Sequence, residues 1–170
     1  MADVLTAFPG ARRALFRKYH LGGCASCGFQ PTESLGELCA RNGGLNVAEV
    51  VAHITASHEQ DRQLEITPRE LAQRRARGEP VRLLDIRTRE EWDAVRLDGA
   101  EFVNQELVQT LMSRAAREGL LVFYDHSGTA SLDAAAYFAG HGFTQAKFLR
   151  GGIDAWAQEV EPKLPRYRLE

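Results

Sequence analysis

Cysteine is scarce: the 170 residues hold three, Cys24, Cys27 and Cys39, and all precede residue 40. So few thiols exclude a disulfide-dense secreted scaffold, and no second Cys-x-x-Cys follows the first to complete a four-thiolate metal ribbon. Long apolar runs are absent too. None approaches the roughly 18 residues that cross a bilayer, so no membrane segment is expected. The apolar start of the chain is followed by arginines rather than by an apolar core and a small-residue cleavage site, which argues against export and for a cytoplasmic location. No excess of one charge sign exists either. A net charge of −2 gives no electrostatic footprint for a general nucleic-acid binder.

What is present is the composition of a water-exposed globular protein, 44% apolar and 26% charged, with enough chain for two compact units. The polar stretch from His58 to Leu64 lacks apolar periodicity and separates residues 1–60 from residues 61–170.

The second unit alternates strand and helix. Thr67 with Pro68 and Glu70 supplies an N-cap, a first-turn proline and a capping carboxylate, and predicts a helix to about Arg77. Strands follow at 81–86, 102–103, 120–124 and 146–149, with helices from Arg89 and over 105–117, 130–140 and 153–159. The strands at 81–86 and 120–124 are nearly all apolar, as central strands are. The order implies an α/β fold, a parallel sheet flanked by helices on both faces. Ligands of such sheets bind beyond the carboxyl ends of the strands, where Asp85 and Asp125 fall. Trp92 and Trp156 are expected to anchor their helices to the sheet, and His141 before Gly142 to close a helix.

The first unit shows helix signals and no strand. Leu15, Phe16 and Tyr19 give an apolar face ended by Gly22-Gly23, and Ser34 with Glu37 and Asn46 with Glu49 mark two further helix starts. A small all-α unit of three short helices results, with Cys24 and Cys27 in its first loop and Cys39 on its second helix. Such a unit buries little area and leans on something for stability: a metal, a disulfide, the second unit or another copy of the chain in a homodimer. The basic residues Arg12, Arg13, Arg17 and Lys18 read as a solvated face.

The most informative stretch is Leu120-Leu121-Val122-Phe123-Tyr124 followed by Asp125-His126-Ser127-Gly128-Thr129-Ala130-Ser131 and an alanine-rich helix. A strand entering a helix through a short glycine loop aims backbone N–H groups at one point, which suits an anion or a thiolate. With Leu83-Leu84-Asp85-Ile86-Arg87, Glu90-Glu91-Trp92, Asp98-Gly99-Ala100 and Lys147 to Trp156, this stretch resembles the rhodanese family over roughly residues 65–160. The resemblance implies a rhodanese-like fold and a cysteine persulfide chemistry whose cysteine is replaced here by Asp125. Ala130 stands where many single-domain rhodaneses carry an arginine, and Arg96-Leu97 replaces the family's usual histidine-isoleucine pair. Asp125 is expected to act as a fixed anion for the loop's N–H groups rather than as a nucleophile, with His126 exposed beside it. A pocket for a small ligand or for a partner's cysteine stays open as an alternative.

Residues 3–55, with Cys24-Ala25-Ser26-Cys27-Gly28, Glu33 to Cys39 and Val47 to Ile54, resemble a small helical family associated with hybrid-cluster proteins and a disulfide. They are also similar to the N-terminal domain of di-iron repair proteins. The likeness implies redox or iron-sulfur biology and a protein partner in a sulfur or redox pathway. Three alternatives stand for the cysteines. Cys24 and Cys27 form a redox or persulfide-accepting pair, or Cys24, Cys27, Cys39 and His20 hold zinc or an iron-sulfur cluster, or the thiols are inert. The resulting expectation is an accessory or regulatory protein of sulfur, redox or iron-sulfur metabolism with a non-catalytic rhodanese-like unit. The alternatives are a sulfurtransferase that carries persulfide on Cys24 or Cys27, and an interaction module without cofactor.

Overall fold

The computed structural model describes residues 1–22, 28–114 and 117–167. It divides into two compact units, Met1–Gln63 and Leu64–Glu170. Cys24 and Cys27 lie outside the described residues.

In the first unit α1 (Ala2–Ala7), α2 (Ala11–Tyr19), α3 (Leu35–Arg41) and α4 (Val47–Arg62) surround a core of Leu15, Leu21, Leu38, Cys39, Val50 and Ile54. The helix over Ala2–Ala7 has no cap signal in the sequence and was not expected. Ser34 caps α3 through the predicted reciprocal bonds with Glu37, and the Asn46 side chain accepts from the amides of Ala48 and Glu49 to start α4. Two expectations are corrected. The buried stripe of α2 is Ala11, Ala14 and Leu15 at helical spacing, so Phe16, one position further round, is 48% exposed. The helix is also ended by His20 in the left-handed region (φ 56°) rather than by the glycine pair.

The second unit is a five-stranded, wholly parallel sheet in the order β1-β5-β4-β2-β3. Its strands are β1 (Glu65–Ile66), β2 (Val81–Asp85), β3 (Ala100–Phe102), β4 (Leu120–Tyr124) and β5 (Ala146–Leu149). Strand periodicity divides the core into two layers. On one face Leu83, Val122, Tyr124 and Leu149 pack with Leu71 of α5 (Pro68–Ala76) and with Ile153 and Trp156 of α9 (Gly152–Glu159). On the other, Leu84, Leu121, Phe123 and Phe148 pack with Leu111 of α7 (Gln105–Arg114) and with Leu132 and Phe138 of α8 (Thr129–Gly140). Among the described residues no helix is long and apolar enough to cross a membrane.

The predicted alternation is found, with α6 (Arg89–Ala94) held by the Thr88 and Glu91 capping box. Strand β1 was missed because two residues carry no alternation. It exists because Phe148 and Arg150 donate to the carbonyls of Leu64 and Ile66. The β3 strand begins at Ala100, two residues before the predicted start, and α7 ends at Arg114 with Arg117 already in a turn. Trp156 is buried as expected, whereas Trp92 is only half-buried, against Phe102 at 5.6 Å and under the Arg96 guanidinium.

Candidate functional site

Asp85 and Asp125 stand at the carboxyl ends of β2 and β4, the two central strands, and meet different fates. Asp85 is fully buried and bound to Arg87, with Nε to Oδ1 at 2.9 Å and Nη2 to Oδ2 at 2.5 Å. The same guanidinium donates to the Val95 carbonyl at 2.7 Å and to the Tyr167 hydroxyl at 2.7 Å. Burial disfavours the Arg87 cation, but Asp85 and the Tyr167 hydroxyl outweigh that and raise its pKa further. Burial and the neighbouring Asp85 raise the Tyr124 phenol as well, while its oxygen accepts from the Leu97 amide. This network ties the end of β2 to the chain after α6. Both Asp85 oxygens accept from Arg87, and the side chain is closed off from solvent.

Asp125 starts the loop into α8 and turns its carboxylate inward. It accepts from the Gly128 amide at 2.7 Å, the Ala130 amide at 3.0 Å and the Ser131 hydroxyl at 2.7 Å. Two of these donors are backbone groups at the start of a helix, where an anion is stabilised by orphan N–H groups. Its 9% exposure places it as the loop's internal anion. The loop's carbonyls are held from the other side: Ile153 donates to Asp125 O at 2.9 Å and Asp154 to His126 O at 3.2 Å. The start of α9 thus clamps the loop of α8.

Glycine makes that clamp sterically feasible. Gly128 has φ +89°, and a Cβ there would lie 2.8 Å from the Gly151 nitrogen and 3.0 Å from the Leu149 oxygen. Gly152 has φ +59°, and its Cβ would run into the Asp125 and His126 carbonyls. The glycine pair in Lys147 to Trp156 is therefore a close-approach device.

The outer rim of the loop is Ser127, Thr129 and Ala130, all exposed, with the two hydroxyls 3.4 Å apart. His126 was expected to be exposed and is not. Its ring is half-buried 4.6 Å from the ring of Tyr167, and its Nδ1 is buried without a hydrogen-bond partner. No pattern of spacing signals this contact, because Tyr167 lies outside the periodic elements. Arg87 and Arg166 are paired within the unit, with Asp85 and Asp154. Ala130 adds no positive charge to the rim.

Of the N-terminal site residues, Cys39 is 1% exposed in the helical core, and burial pushes its thiol pKa up. His20 is an exposed helix cap in edge contact with Phe16. A metal-bound thiolate must lose its proton and reach the ion, and the surroundings of Cys39 oppose both. Among the described residues no group of three or more His, Cys, Asp or Glu is placed to hold a metal ion.

Residues 67–159 match the rhodanese-like domain family. A sulfurtransferase of Allochromatium vinosum is 37% identical over 98 residues, which are 58% of this chain and 92% of that protein. The probable adenylyltransferase/sulfurtransferase MoeZ of Mycobacterium tuberculosis is 35% identical over 104 residues, 60% of this chain, and the chain spans only 26% of its length. The fold is shared with the human single-domain sulfurtransferase TSTD1, at a TM-score of 0.51 and 24% identity over 56% of this chain and 96% of that one. With its parallel sheet, its strand-loop-helix at Asp125 and the glycine clamp that holds the loop, the chain belongs to the rhodanese-like domain family.

Proposed function

We propose that this protein is an accessory or regulatory component of sulfur metabolism whose rhodanese-like unit carries no persulfide, and whose thiol chemistry resides in Cys24 and Cys27. The observation that carries the reading is Asp125: its carboxylate takes both amides and the Ser131 hydroxyl that surround the head of the loop. A carboxylate bound in this way cannot accept sulfane sulfur as a thiolate does, and its charge repels an anionic sulfur donor. The sulfurtransferase names of relatives support sulfur handling as the setting.

Cys24 and Cys27 are proposed as a dithiol pair rather than as part of a metal site, because the third thiol, Cys39, is packed into the core. Basic residues Arg17 and Lys18 precede the pair in sequence, and a positive charge close to a thiol favours its thiolate. The proposal includes a protein partner, reached through the pair or the loop rim, and requires neither nucleic acid nor membrane.

A second reading is favoured by the 37% identity to a sulfurtransferase: the protein transfers sulfur through a persulfide on Cys24 or Cys27. Thiosulfate-to-cyanide sulfur transfer separates the two. Background-level turnover in the wild type supports the accessory reading. Turnover that vanishes in Cys24→Ser or Cys27→Ser establishes the second.

A further inference from the structure

The chain does not leave the site after α9. Glu161 to Tyr167 turns back to the carboxyl end of the sheet, with the Leu164 amide bonded to the Glu161 carbonyl at 2.9 Å. Leu164 and Tyr167 pack on the Leu83, Tyr124 and Trp156 face of the core. The Tyr167 hydroxyl donates to Glu91 Oε1 at 2.6 Å and accepts from Arg87 Nη1 at 2.7 Å. Next to it, Arg166 reaches both carboxylate oxygens of Asp154, at 2.7 and 3.2 Å. His126, Asp154, Arg166 and Tyr167 line a half-open pocket of about 340 Å³ beside the loop.

We propose that residues 161–167 form an autoinhibitory strap, which covers the second residue of the Asp125 loop and must lift before a ligand or partner engages His126. An apolar anchor at Leu164 and two polar latches, Tyr167 to Glu91 and Arg87 and Arg166 to Asp154, hold it shut. Two features keep closure from being permanent. The Arg166 latch is solvent-exposed and therefore weak. Closure also buries His126 Nδ1 without a partner, a penalty that opening removes by admitting water or a ligand to that atom. Both features lower the cost of opening. The strap rests on the proposal that the loop is the contact surface, but its test does not depend on sulfur transfer.

The test is carbethoxylation of His126 by diethylpyrocarbonate, followed by peptide mass spectrometry with His141 as internal reference. It compares wild type, Tyr167→Phe, Tyr167→Ala and Asp154→Asn. Losing the hydrogen bonds of the Tyr167 hydroxyl to charged partners should raise His126 labelling about tenfold in Tyr167→Ala, with Tyr167→Phe and Asp154→Asn in between. Amide hydrogen exchange should quicken over 126–130 and stay unchanged in β4. Equal His126 labelling in wild type and Tyr167→Ala overturns the strap. A rise shared by His141 and the β4 amides also overturns it, because the variant would then have loosened the whole unit. A negative sulfur-transfer assay leaves the labelling result standing, so the two proposals fail separately.

Discussion

Arg87 and Tyr167 are eighty residues apart in sequence, and their side chains share a 2.7 Å hydrogen bond at the end of the central strands. Arg87 is otherwise spent on Asp85 and the Val95 carbonyl, inside the fold. The bond connects that buried ion pair to the last described turn of the chain. Through it the buried Asp85–Arg87 pair is linked to the tyrosine whose ring lies 4.6 Å from that of His126.

Breaking the buried pair should be severe. In Arg87→Met the Asp85 carboxylate is left without its partner in a fully buried site, and the expected loss is about 3–5 kcal/mol in urea unfolding monitored by tryptophan fluorescence. A change under about 1 kcal/mol would show that the pair is solvated in solution.

Asp125 should matter for stability. Asp125→Ala leaves two amides and the Ser131 hydroxyl without their acceptor, and a loss of about 2–4 kcal/mol is expected in the same experiment. Asp125→Asn keeps one accepting oxygen and should lose less than Asp125→Ala.

Placing a thiol in the loop should not by itself confer turnover. Asp125→Cys places a sulfur in the cradle, but Ala130 gives an anionic donor no positive charge, so thiosulfate-to-cyanide transfer should stay near background. Asp125→Cys with Ala130→Arg should exceed the single variant. Robust turnover in Asp125→Cys alone would show that the cradle suffices without the cation.

The strap contact has a defined pH window. Burial works against the Glu91 anion, but the Tyr167 hydroxyl, the Thr88 amide and hydroxyl, and Arg87 hold its pKa below the usual carboxylate value. A depressed folded pKa means that the stabilisation is present above the ordinary glutamate pKa, about 4.3, and is lost as pH falls through the folded value. Burial and Glu91 push the Tyr167 phenol up to about 12. A raised folded pKa means that its contribution is full below the ordinary tyrosine value, about 10, and is lost as pH rises towards the folded value. The ring-current shift of His126 by Tyr167, followed by NMR, should persist between these limits. In Glu91→Gln the Tyr167 titration should move back towards 10.

A backbone prediction concerns the loop's turn. Gly128→Ala combines a positive φ with a Cβ only 2.8 Å from the Gly151 nitrogen, so it should destabilise by about 2 kcal/mol or more. Gly142→Ala has a similar φ and open space around the Cβ, and should cost about 1 kcal/mol.

Wherever local chemistry acts over a few residues, the elements were legible. The Thr67, Thr88, Ser34 and Asn46 caps and the apolar runs of β2 and β4 each specify their own backbone. Elements defined by a distant partner were not. The β1 strand needs Phe148 and Arg150 beside it, Phe16 points outward because Leu15 takes the core, and His126 is covered by a tyrosine forty-one positions later.

By itself the sequence determined the alternating α/β order, the parallel sheet, the loop at Asp125 and the absence of a thiol from that loop, because propensity, capping and residue identity are local. Only the tertiary structure decided that Asp85 is spent on Arg87 while Asp125 fills its own cradle, and that Tyr167 lies on His126. Those outcomes depend on which distant groups satisfy each polar atom once water is excluded, and chain order does not encode that by spacing.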